Sequence, residues 1–202
     1  MFGGAFDPVH NAHLYVAEAV RSEEGLDQVL FLPVRSAYHR ETVHAGVEDR
    51  ATMLRLAIAS NPAFALDLTD ADEAATGYTA DLLPRLRKRY PDDELYFIAG
   101  GDSLVRSRWH RLDEVLALLN GFLIAPRVGT TPVELDRALE HVPADLRKKV
   151  RLIEIPQAFE SATLVRDRLE AGESVRYLLP EPVWRYIMDR RIYTASSGVA
   201  LG

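Results

Sequence analysis

Short runs of β-branched and aromatic residues alternate along the chain with longer stretches whose apolar positions recur every three or four residues. The runs occupy residues 28–34, 64–68, 94–100, 121–127 and 150–156. Each is short, continuously apolar and bounded by turn residues, which predicts a strand buried on both faces. Helix patterns fall between them at 11–24, 47–60, 79–90, 112–119 and 132–141. Strand and helix in turn predict an α/β fold, with a mostly parallel sheet covered on both sides. After Pro156 the strand pattern stops, and 161–171 and 181–190 read as two helices. The chain thus divides into a core over 1–156, a small C-terminal helical subdomain over 157–193 and a tail from Thr194 that is expected to fray. Pro84 interrupts the pattern that starts at Thr79 and predicts a kink there.

Composition narrows the chemistry. At 202 residues the chain fits one α/β domain or a domain with a small appendage. A net charge of −6 disfavours a nucleic-acid partner, whereas a small phosphorylated ligand needs only local positive charge. There is no cysteine, which excludes disulfides, thiolate zinc sites and cysteine nucleophiles. No signal-peptide pattern stands at the start and no apolar run reaches the ~18 residues of a membrane span, so the expectation is a cytoplasmic chain without a membrane partner.

The richest segment is GGAFDPVHNAH, Gly3 to His13, at the first turn from strand into helix, the usual phosphate site of open α/β folds. Gly3 and Gly4 let the backbone approach a phosphate and tolerate positive φ. Asp7 before Pro8 suits a fixed turn in which the carboxylate bonds local amides. His10 and His13 project from one helix face towards one spot, a polar clamp for phosphate oxygens beside a helix N-terminus. Taken alone, paired histidines are more often packing than chemistry. A zinc site is disfavoured because the glutamate of HExxH is missing and no cysteine can complete one; Asp7 as a magnesium ligand is the lesser alternative to its turn role, and no protein metal site is expected.

The whole string resembles the phosphate-binding signature of the nucleotidyltransferase superfamily, and in particular that of the bacterial nicotinate mononucleotide adenylyltransferases. That resemblance implies a Rossmann-like doubly wound fold, and it extends over nearly the whole chain. YHRE (Tyr38 to Glu41) stands where the family has a Pro-His-basic motif, which implicates His39 and Arg40. GYTADLL is similar to the family's Tyr-Thr motif, with Gly77 and Leu82 as departures; it implies that Tyr78 and Thr79 open a helix whose amides meet the carboxylate on the pyridine ring. ELYFIAGGDSL followed by Trp109 implies that Gly100, in the glycine turn, belongs to the substrate site, that Asp102 meets ribose hydroxyls and that Trp109 stacks on the pyridine ring. By themselves Asp102 reads equally as a helix cap and Trp109 as packing. ESATLVRDRL is similar to a Ser-Ser-Thr-x-Ile-Arg signature, with Ala162 and Val165 departing; Ser161, Thr163 and Arg166 then serve the triphosphate of ATP, though a helix cap with a surface arginine fits the residues alone.

The resemblance implies adenylyl transfer from ATP to nicotinate mononucleotide, with His10, His13 and Arg166 catalytic and magnesium held mainly by the ATP phosphates. Alternatives are a related transferase with nicotinamide mononucleotide or pantetheine phosphate as acceptor, and a nucleotide-binding module without turnover. Oligomerisation is open. Only Met1 and Phe2 precede Gly3 where a buried strand is expected, so the first strand is expected to be incomplete.

Overall fold

Residues 1–35, 44–106, 109–126 and 131–194 are described in the computed structural model of the chain. Its sheet has six strands: β1 (Phe2–Gly4), β2 (Val29–Pro33), β3 (Phe64–Leu66), β4 (Tyr96–Gly100), β5 (Gly121–Ala125) and β6 (Val150–Leu152). They lie in the order β3-β2-β1-β4-β5-β6 and every pair is parallel. This is the Rossmann-like doubly wound arrangement, with β1 at the centre and the direction of winding reversing between β1 and β4.

The continuous apolar runs have a simple physical cause. Successive strand residues point to opposite faces, and both faces here are covered. Phe31, Ile98 and Leu123 enter one apolar cluster, while Leu32, Phe97, Phe122 and Ile124 enter the other. The first cluster is closed by α1 (Asn11–Glu23), α2 (Val47–Ile58), α8 (Ala162–Glu170) and α9 (Glu181–Arg190). The second is closed by α3 (Thr79–Arg89), the short α4 (Gly101–Arg106), α5 (Leu112–Leu118) and α6 (Pro132–Ala138). The one-turn α7 (Ala144–Arg147) leads into β6.

Several expectations need correction. The strands at 64–68 and 150–156 are shorter than their apolar runs, because β3 and β6 are the sheet edges and pair on one side only. Helices α4 and α7 were not expected; at six and four residues they are too short to show a periodicity. Pro84 does not break α3. Its ring lies on the exposed face, while Leu82, Leu83 and Leu86 bury the opposite one.

The C-terminal helices pack into the main core. Val165, Leu169, Val183 and Ile187 share one cluster with Phe2, Val16, Met53 and Leu54. The Tyr186 hydroxyl also donates to Asp49 at 2.7 Å, tying α9 to α2. Ile187→Ala is therefore expected to lower global stability by about 2–5 kcal/mol. Urea unfolding should show one cooperative transition displaced to lower denaturant; two transitions of which only one moves would mean that the helices fold as a separate unit.

Candidate active site

Outside the carboxyl ends of β1 and β4, where the winding reverses, lies a cleft of about 290 Å³. Most of the residues expected from sequence meet here. Gly3, Gly4, Phe6, Asp7, His10 and His13 line it from β1 and the start of α1. Gly100 and Asp102 come from the end of β4 and the first turn of α4, and Ser161 and Thr163 from the start of α8. Ser103 and Ala125 also line the cleft; both are small residues with no chemical signature in the sequence.

The glycines owe their place to aromatic rings beside them. A Cβ on Gly3 would come within 2.9 Å of the Phe97 ring, and one on Gly4 within 3.2 Å of the Phe6 ring. Neither uses the positive φ that glycine tolerates; the left-handed residue of the turn is Phe6, with φ 49°.

His10 caps α1 with an extended backbone, and its ring is almost fully buried. The His10 amide donates to Nδ1 of His13 at 3.2 Å, and the two imidazoles stack with centroids 3.7 Å apart. Because Nδ1 of His13 accepts, the neutral ring carries its proton on Nε2. Phe6 and Phe2 pack against His13 at 5.0 and 6.0 Å and hold the ring in place. The sequence spacing thus becomes a pre-oriented hydrogen-bond donor at the cleft.

Asp7 makes the expected turn by unexpected means. Among the described residues its carboxylate bonds no local amide. Oδ2 accepts from the His44 amide at 2.7 Å, and Oδ1 accepts from the Ala45 amide at 3.0 Å and from the Tyr193 hydroxyl at 2.6 Å. The His44 ring adds a contact to Oδ2 at 3.3 Å. Burial opposes ionisation, but the bonds from Tyr193 and from the His44 and Ala45 amides outweigh it and hold the carboxyl below its ordinary range.

Arg50, fully buried on α2, was not anticipated. Its guanidinium donates to the carbonyls of Ala5 at 2.7 Å, Arg35 at 3.0 Å and Ala45 at 3.2 Å, so one side chain joins the phosphate turn to the end of β2 and the approach to α2. A signal existed: Arg50 lies three, four, seven and eight residues before Met53, Leu54, Ala57 and Ile58, and so in phase with the apolar face.

At the other side of the cleft Ser161 caps α8, its Oγ accepting from Leu164 N at 3.1 Å, so the capping role and a place in the cleft coexist. Arg166 donates to the Asp7 carbonyl at 2.7 Å and to Thr163 Oγ1 at 3.3 Å. Arg166, Tyr78, Thr79 and Trp109 are not among the residues lining this cleft, Arg166 reaching it only through the Asp7 carbonyl. Tyr78 caps α3 and its ring lies 4.5 Å from that of His110, which brings the start of α3 beside Trp109. The Trp109 ring meets Phe97 and Phe122 edge-on, and its N–H donates to the Ser103 carbonyl at 3.2 Å. His39 and Arg40 lie outside the described residues. Among the described residues no group of three or more side chains is arranged to hold a metal ion, and no helix is long and apolar enough to cross a membrane.

The cleft thus sets a glycine-rich turn into a helix at the reversal point of a parallel sheet, with two histidines and a hydroxyl-capped helix start lining it. Residues 1–168 match the cytidylyltransferase-like family, and the chain belongs to it. A probable nicotinate-nucleotide adenylyltransferase of Saccharopolyspora erythraea is 40% identical over all of this chain and 93% of its own length. One from Dehalococcoides mccartyi is 35% identical, over 96% of this chain and 95% of its own. Among solved structures, Plasmodium falciparum nicotinic acid mononucleotide adenylyltransferase complexed with NaAD superposes with a TM-score of 0.76 over 95% of both chains; at 20% identity it supports the fold.

The Asp7 network sets a pH dependence. A carboxyl held below the unfolded value of about 3.9 contributes stability that is fully present above that pH and lost as pH falls through the folded value. The stability advantage of wild type over Asp7→Asn should be constant above about pH 5 and shrink on acidification below about pH 4. Denaturant titrations at several pH values check this; an advantage that grows with acid would contradict it.

Proposed function

We infer that the protein transfers the adenylyl group of ATP to nicotinate mononucleotide, releasing pyrophosphate and forming nicotinate adenine dinucleotide. The observation that carries the reading is the convergence, at one cleft, of the Gly3–His13 turn, the β4 end with Asp102, and the Ser161–Thr163 helix start. Full-length similarity to nicotinate-nucleotide adenylyltransferases supports the acceptor.

The reaction needs orientation more than activation. A phosphate monoester has a second pKa of about 6 and is already a nucleophile at neutral pH. Two anions must be brought together, and the oxygens of the attacked α-phosphorus must meet donors as charge shifts towards pyrophosphate. His13, with Nε2 as its donor, and His10 beside it serve those oxygens. The N-terminus of α1 adds its own partial positive charge. Arg166, held at the lip of the same turn by the Asp7 carbonyl, serves the triphosphate with the Ser161 and Thr163 hydroxyls. Magnesium would be held mainly by the ATP phosphates and would neutralise part of their charge. Asp7 is already engaged on both oxygens, which leaves Asp102 as the cleft carboxylate suited to ribose hydroxyls. Trp109 and the first amides of α3 form the pyridine subsite; the Tyr78–His110 contact, which draws these segments together, favours it.

Pyrophosphate release with ATP, magnesium and either nicotinate or nicotinamide mononucleotide tests the reading. Turnover is expected with the nicotinate form and weaker turnover with the amide; none with either mononucleotide would overturn the acceptor and favour a binding module or a transferase with another acceptor such as pantetheine phosphate. In the same assay His13→Ala should lower kcat by about a hundredfold, the usual cost of one transition-state donor. An unchanged rate would remove His13 from the chemistry.

A further inference from the structure

Helix α9 ends at Arg190, and the chain then reverses sharply. Arg191 and Tyr193 both have left-handed backbones, with φ of 53° and 64°. Side chains with a Cβ disfavour this region; Arg191 adopts it as the cap of α9, where the Ile192 amide donates back to the Ile187 carbonyl, whereas Tyr193 lies past that cap and needs a contact outside the segment. For Tyr193 that contact is its hydroxyl, which donates to Asp7 Oδ1 at 2.6 Å across 186 residues of sequence. Burial and the neighbouring carboxylate both raise the Tyr193 pKa, so the phenol remains a protonated donor. Asp7 in turn follows Phe6, the left-handed residue of the phosphate turn, and its carbonyl receives Arg166. Tyr193 is not among the residues lining the cleft, so its influence there runs through Asp7.

We propose that Tyr193 is a positioning residue for adenylyl transfer: through its hydrogen bond to Asp7 it fixes the turn Ala5–Asp7, and with that turn the placement of His10, His13 and Arg166 around the nucleotide phosphates. The role deepens the adenylyl-transfer reading and rests on it. Asp7 is gripped from two sides. The His44 and Ala45 amides hold it from the approach to α2, and Tyr193 holds it from the end of α9. Removing the hydroxyl leaves the first grip intact, so the turn loosens without unfolding and the loss falls on geometry.

The test is a double-variant cycle in the pyrophosphate-release assay, with urea unfolding run on the same preparations. Tyr193→Phe keeps the ring and removes the donor. Its kcat/KM for ATP should fall about tenfold to a hundredfold, the scale of a small misplacement of phosphate-binding groups. KM for nicotinate mononucleotide should stay within about twofold, since the pyridine subsite is built on other elements. Asp7→Ala should lose more activity, and the double variant should lose no more than Asp7→Ala alone, because the two residues act as one unit. Unchanged kinetics in Tyr193→Phe, losses that add in the double variant, or a fall in activity matched by a fall in folded fraction would each overturn the proposal. Should Asp7→Ala not fold, the Tyr193→Phe kinetics decide alone, and a KM for nicotinate mononucleotide raised well beyond twofold overturns it. A wild-type chain that makes no pyrophosphate from ATP and nicotinate mononucleotide fails the functional reading first, before any variant is compared.

Discussion

A carboxylate buried as deeply as that of Asp7 must meet donors or give up its charge. The donors it meets come from distant parts of the chain: two amides ahead of α2 and a phenol beyond α9. Satisfying one side chain therefore brings the phosphate turn, the second helical unit and the C-terminal segment to a common point. Arg50 does the complementary work with carbonyls, drawing Ala5, Arg35 and Ala45 around a buried cation. Burial lowers the pKa of that guanidinium while the nearby Asp7 charge opposes the fall. The Asp7 charge thus offsets part of the cost of burying Arg50.

The sheet explains why the chemistry gathers where it does. With β1 central and the winding reversing beside it, α1 and α4 begin at neighbouring strand ends and α8 begins across the same opening. Each helix start turns backbone amides towards the cleft. An acidic protein can in this way receive a polyanion: its net charge of −6 belongs to the whole surface, while the cleft is furnished with amides, two imidazoles and an arginine at its edge.

Much of this was legible in the sequence because the determinants are local. Strand and helix periods, the helix starts at Asn11 and Glu181, and the residues of the Gly3–His13 turn all act within a few positions of one another. What the sequence hid is of two kinds. The short edge strands and the brief α4 and α7 fall below the length at which a period can be read. The partners of Asp7 are fixed only by tertiary contact, since nothing near Asp7 marks Ala45 or Tyr193 as its neighbours. Arg50 stands between the two: its phase on α2 placed it in the core, but its three carbonyl partners become visible only when the chain is folded. The glycines show the same limit in reverse, for a phosphate was the expected reason for them, and the rings of Phe97 and Phe6 are a sufficient one.

The long-range bonds at the first turn also bear on the order in which the protein comes into being. Asn11 bonds the carbonyl of Tyr177, Arg166 that of Asp7, and Tyr193 the carboxylate of Asp7, spans of 166, 159 and 186 residues. A chain made from its N-terminus lays down the phosphate turn among its earliest residues and the groups that lock it among its latest. A nascent sheet with α1 and α2 docked would carry the histidines but neither the arginine nor the phenol. The first turn thus gains its last partners only once α8 and the segment beyond α9 have been made.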